Sequence, residues 1–171
     1  MAPLHPPRAH PIPPNPMAGL DRNTPQPTRI VSHARSRVLE LDYADGRSFR
    51  LPFELLRVYS PSAEVRGHGP GQEVLQMGKR EVGIEAIEAV GHYAIRPRFS
   101  DGHDTGIYSW DYLLWLGERQ DRLWEEYLQR LQAAGASRDP VGASQAPSVP
   151  VTPADPGATT AGATAISRPR G

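Results

Sequence analysis

The side chains here that could do chemistry are histidines and serines, and their spacing limits what that chemistry can be. Six histidines, His5, His10, His33, His68, His92 and His103, raise the question of a metal. None opens a His-x-Asp or His-x-Glu pair of the kind that starts a two-histidine, one-carboxylate iron site, and His-Glu-x-x-His does not occur. His103 stands apart because it follows Asp101-Gly102, a pair that supplies the positive backbone φ of a hairpin turn. The spacing predicts it at the start of the returning strand. There it could ligate a metal, or equally be a structural residue bonded to a turn carbonyl or to Asp101 or Asp104.

Nucleophiles are less promising. Ser60, Ser62 and Ser109 lack a Gly-x-Ser-x-Gly elbow, and Ser60 and Ser62 flank Pro61 as turn and cap residues. Gly67, Gly69 and Gly71 alternate without the lysine and following helix of a phosphate-binding loop, so they read as a flexible loop. Glu125 and Glu126 fall on the polar side of a helix and read as solvated. The chain has no cysteine, which excludes disulfides, thiolate metal sites and cysteine nucleophiles within it.

The elements that must position these residues follow from periodicity. Leu39, Leu41 and Tyr43 share one face at period two, Asp45-Gly46 turns the chain, and Phe49 and Leu51 continue the face as a β-hairpin. Arg29 to Val31 suggests a strand before it. Pro52 then opens a single short helix over Phe53 to Arg57. Val74 to Met77 and Ile84 to Val90 are candidate strands, the second with Ile84, Ala86 and Val90 inward. From His92 on, Tyr93, Ile95 and Phe99 oppose Arg96 and Arg98, and the Asp101-Gly102 turn returns the chain through Ile107 and Tyr108. Ser109 reads as an N-cap with Asp111 in the first turn. Leu113, Leu116, Leu123, Trp124, Tyr127, Leu128 and Leu131 then recur at three- and four-residue steps, an amphipathic helix of about six or seven turns ended by Gly135.

The expected fold class is therefore α+β: a small antiparallel β-rich domain built of hairpins, with one short helix and a long C-terminal amphipathic helix. The 171 residues include 19 prolines and 16 glycines, concentrated outside this pattern. Residues 1–27 are proline-rich and 136–171 are rich in Ala, Pro, Thr and Gly, so both are expected to be disordered, leaving a domain over 28–135. That domain carries 14 basic against 16 acidic residues, which argues against a nucleic-acid partner. No apolar run reaches membrane-spanning length, and the N-terminus lacks the apolar centre of a secretory signal. No membrane association and a cytoplasmic location are the expectation.

Leu56-Arg57 followed by Ser60-Pro61-Ser62, then Val90-Gly91-His92-Tyr93-Ala94, then the run from Asp101 to Trp110, resembles the gamma-butyrobetaine hydroxylase-like N-terminal domain family, also called DUF971. The resemblance covers about residues 28–116. It implies a small accessory β-rich unit whose zinc is held by a Cys-x-Cys-x-x-Cys segment and the histidine of an Asp-Gly-His turn. In this chain His103 matches that histidine, while the cysteine positions are occupied by Ser60, Ser62 and Val65. A structural zinc needs four donors, so the resemblance implies a variant without the zinc site, its loop held by packing and by Ser60 or Ser62 bonded to His103. In the hydroxylases the oxygenase chemistry lies in a separate domain, and this chain lacks its His-x-Asp motif. Other relatives are appended to ATPases that carry iron-sulfur clusters.

Two functions are in play. The first is a non-enzymatic accessory or adaptor module acting through a protein partner, with Trp124, Tyr127 and Leu131 of the long helix as the contact, or a homodimer through the same helix. The second is a metal-binding protein, zinc or iron, linked to 2-oxoglutarate oxygenase or iron-sulfur pathways, in which His68 or His92 and an acidic residue join His103. No cofactor is expected under the first reading.

Overall fold

A computed structural model of the chain describes residues 23–67 and 73–141. The expected disorder at 1–22 and 142–171, and the candidate ligand His68, lie outside the described residues.

Alternation in the first half produces one antiparallel sheet. Strands β1 (Pro27–His33), β2 (Val38–Tyr43) and β3 (Ser48–Pro52) lie in the order β1-β2-β3, with Leu39 opposite Leu51 and Leu41 opposite Phe49. Leu39, Leu41 and Leu51 are fully buried, so truncating any of them to alanine should cost about 2–5 kcal/mol. Gly46, at φ +88°, makes the turn that Asp45-Gly46 predicts. On the open face Arg29 donates to Glu40 and Asp42, a charged surface that keeps this side in water.

Pro52 precedes helix α1 (Phe53–Val58), whose first N–H finds an acceptor in the Arg37 carbonyl at 2.8 Å. A second short helix, α2 (Ala63–Arg66), follows where only one was expected. Its four residues are too few for periodicity to register. The expected strand at Val74–Met77 does not form. Those residues run without regular secondary structure along the end of the long helix, where Tyr127 Oη donates to the Gln76 carbonyl.

The second sheet has the order β4-β5-β6, from β4 (Ile84–Val90), β5 (Ala94–Phe99) and the two-residue β6 (Tyr108–Ser109). Ile84 packs on the core as expected, but a bulge between Ile84 and Ala86 shifts the side-chain alternation, so Ile87 joins it there where Ala86 had been expected. Both sheets close over one core with α1 and helix α3 (Trp110–Ala133), which contributes Tyr112, Leu113, Leu116 and Leu123. Gly117 lets the Phe49 ring lie against α3, since a Cβ there would stand 2.5 Å from the ring. Ser109 occupies the N-cap position of α3, but its hydroxyl makes no bond to the helix and is buried without a partner.

The 24-residue helix does not present its last turns as a free apolar stripe. Tyr127 and Leu131 are buried with Val58 in a second small core, against which Leu75, Trp124 and Ala136 pack. Chain beyond Gly135 is placed as well: the N–H groups of Gly78 and Arg80 donate to the carbonyls of Ser137 and Arg138. Among the described residues no helix is long and apolar enough to cross a membrane. The whole is an α+β domain of two small antiparallel sheets and a long C-terminal helix.

Candidate functional site

His103 lies in the connection between β5 and β6 rather than at the start of a strand, because β6 begins only at Tyr108. The Asp101-Gly102 turn is nevertheless formed, with Gly102 at φ +86° and the Phe99 N–H donating to the His103 carbonyl. This turn swings the imidazole beneath the loop that joins α1 to α2. There the Ser60 hydroxyl lies 2.8 Å from Nε2 and the Ser62 hydroxyl 3.4 Å from the same nitrogen. On the other edge of the ring, Nδ1 is 3.2 Å from a Glu64 carboxylate oxygen. Of the partners expected for the ring, Ser60 and Ser62 take it, and Asp101 and Asp104 do not. Asp101 instead accepts from the His103 backbone N–H, and Asp104 is exposed.

These contacts assign the tautomer. Glu64 can only accept, so Nδ1 carries the proton and Nε2 is left to accept from Ser60. Burial pushes the His103 pKa down from its ordinary 6.5, and the nearby Arg57 charge pushes the same way, while Glu64 and Asp101 oppose them. A neutral ring results. Ser60 to His103 to Glu64 thus has the order of a nucleophile, a base and an orienting carboxylate. Ser60 is 1% exposed, however, and a Cβ on Gly106 would come within 2.4 Å of its oxygen. No reacting atom can approach that hydroxyl while the loop is closed.

A charged layer borders the ring. Arg57 is buried at the end of α1, and its Nε donates to Asp101 at 2.9 Å while its Nη1 donates to Gln76. Lys79 reaches the same Asp101 oxygen at 2.6 Å. Burial raises the Asp101 pKa, but the Lys79 hydrogen bond and the Arg57 charge outweigh it and hold the carboxyl below its ordinary value. Tyr108, fully buried beside Ser60, donates to the Leu56 carbonyl at 2.6 Å.

The residues suit a hydrogen-bonded plug better than a metal. Ser60 and Ser62 offer neutral oxygens, Val65 is buried with no donor atom, and Glu64 faces the nitrogen opposite the one that the serines share. His92 does not join the ring. It is exposed, its carbonyl accepting from Trp110 Nε1. Among the described residues no three His, Asp or Glu side chains converge as metal ligands would.

Sequence reasoning brought Ser60, Ser62 and His103 to one place and missed Glu64, Arg57, Lys79 and Gly106. The one available signal was Arg57 on the apolar face of a short helix, a charge that had to find a buried partner. Glu64 looks in sequence like any solvated carboxylate.

Comparison with known proteins bears on the family of the chain. A family model described as gamma-butyrobetaine hydroxylase-like, N-terminal, matches residues 30–114. Two proteins solved by NMR in solution are similar to it at 50% and 52% identity, over 68% and 70% of this chain and 92% and 89% of theirs, each with a TM-score of 0.61. A crystal structure of a protein of unknown function of the DUF971 family, from Acidithiobacillus ferrooxidans, is 42% identical over 53% of this chain and 88% of its own, with a TM-score of 0.43. No curated protein matches. With the family model spanning both sheets and the His103 turn, the chain belongs to the gamma-butyrobetaine hydroxylase-like, N-terminal (DUF971) family.

Proposed function

We propose that this protein is a non-enzymatic accessory module that works by binding a protein partner. The observation that carries this reading is the sealed state of Ser60, which is 1% exposed beneath Gly106 and already bonded to His103. A nucleophile must meet its substrate, and the Ser60 hydroxyl is buried with His103 already bonded to it. Tyr127 and Leu131 are buried in the domain's own core, which favours a partner surface other than that stripe. Exposed apolar side chains lie instead at Val74, Met77 and Leu128. Treating the full chain with a fluorophosphonate probe and reading intact mass tests the reading. No adduct is expected, whereas an adduct that Ser60→Ala removes would make the protein a serine hydrolase.

The second reading, a zinc or iron protein serving an oxygenase or iron-sulfur pathway, draws on the convergence of both serine hydroxyls on Nε2 of His103. Two neutral oxygens and one nitrogen fall short of a structural zinc site. Metal content measured beside a His103→Ala variant decides it: stoichiometric metal lost in the variant would favour this reading over the first.

A further inference from the structure

Residues just past α3 fold back as a strap, and one side chain of that strap fills a site of unusual completeness. Arg138 donates from Nε and Nη2 to the two oxygens of Glu54, at 2.9 and 2.6 Å. Glu54 is buried to 5% exposure in α1, so its charge has little water to solvate it. The guanidinium also lies over the Trp124 ring, 4.6 Å from its centroid. A paired fork on a buried carboxylate, with an aromatic face beneath, recognises arginine and not lysine. The backbone adds register. Gly78 and Arg80 donate to the carbonyls of Ser137 and Arg138, and Gly78 holds the left-handed backbone, φ +69°, beside Pro140.

We infer that the groove formed by Glu54, Trp124 and the Gly78–Arg80 backbone is a binding site for an arginine carried on a short peptide segment bent at that residue, held shut by the protein's own Arg138. Its present occupant is the Ala136-Ser137-Arg138-Asp139-Pro140 strap, which bends at Arg138 and Asp139 and is attached at one end. A partner segment of the same chemistry enters when the strap leaves. This deepens the accessory-module reading by stating what the partner presents. The groove can fail while the sealed Ser60 stands, because the two are read by different experiments.

The test titrates full-length Arg138→Ala protein with the acetylated, amidated pentapeptide Ala-Ser-Arg-Asp-Pro, and with the same peptide carrying citrulline for arginine. Saturable binding that raises Tm is expected for the arginine peptide alone, and it should be lost on adding Glu54→Gln. Wild-type protein should bind it about tenfold or more weakly, since an attached strap competes at millimolar effective concentration. Should Arg138→Ala fail to fold, Arg138→Lys keeps a charge without the fork and serves in its place. Equal binding by wild type, equal binding of the citrulline peptide, or none by a folded variant would overturn the inference. A wild-type dimer that Arg138→Ala abolishes would also overturn it, assigning the groove to strap exchange between two copies.

Discussion

Helix α1 buries two opposite charges one turn apart, and the chain answers them in different ways. Glu54 is met by Arg138 from a strap 84 residues away. Arg57 is met by Asp101 and Gln76, in a layer that Lys79 and the His103 backbone complete. At the Glu54 end one ion pair does most of the solvating, so the site is all or nothing. At the Arg57 end the charge is spread over several partners, and the adjoining Ser60–His103–Glu64 contacts are made by a neutral ring. The comparison teaches that a buried charge with one distant partner depends on that single contact, whereas a shared one has its cost spread over several.

The widest separation between the two ends should come from Arg138→Ala. Stranding the Glu54 carboxylate should lower stability by about 3 kcal/mol, the low end for breaking a buried pair because Arg138 itself is 28% exposed. Urea unfolding of the full chain checks it, and a loss near zero would erase the contrast. Next is Ser60→Ala, which leaves Nε2 of His103 without its nearest donor and should cost about 1–3 kcal/mol. Ser62 is poised to take over at 3.4 Å, so the double variant should lose more than Ser60→Ala alone.

A smaller effect is expected from pH. His103 is held below 6.5 by burial first and Arg57 second, so the unfolded chain takes up a proton at higher pH than the folded one does. Stability present above about 6.5 should therefore be lost as pH falls through the lower, folded value. Urea midpoints near neutrality and about two pH units below, each against His103→Gln, isolate the term; a variant with the same slope would show that His103 is not its source. Smallest of all should be Arg96→Ala on the outer face of β5. Its partner Glu88 is solvated like Arg96 itself, and the melting curve should not move.

Much of this arrangement was legible beforehand. Period-two runs and Asp-Gly turns located the first hairpin and β5, since a buried sheet face and a positive φ each leave a residue-level mark. Leucines at helical spacing located α3 for the same reason. The convergence of Ser60, Ser62 and His103 came with the family resemblance, and the distances agree with it. Short pieces were illegible. α2 has too few residues for a period, β6 is two residues long, and the bulge in β4 moves Ile87 inward by a backbone irregularity that side-chain alternation does not record.

By itself the sequence determined the longer elements, the fold class, and the lack of any thiolate. Those depend on local patterns and on residue types. Tertiary structure alone decided which charges meet and which apolar side chains remain outside. Glu54 and Arg138, or His103 and Glu64, are paired by how two sheets and a helix pack, and the end of α3 is covered because the segment at 73–77 and the strap happen to lie across it. Such contacts join residues far apart in the chain, and their energy depends on burial, which no single residue's identity reveals.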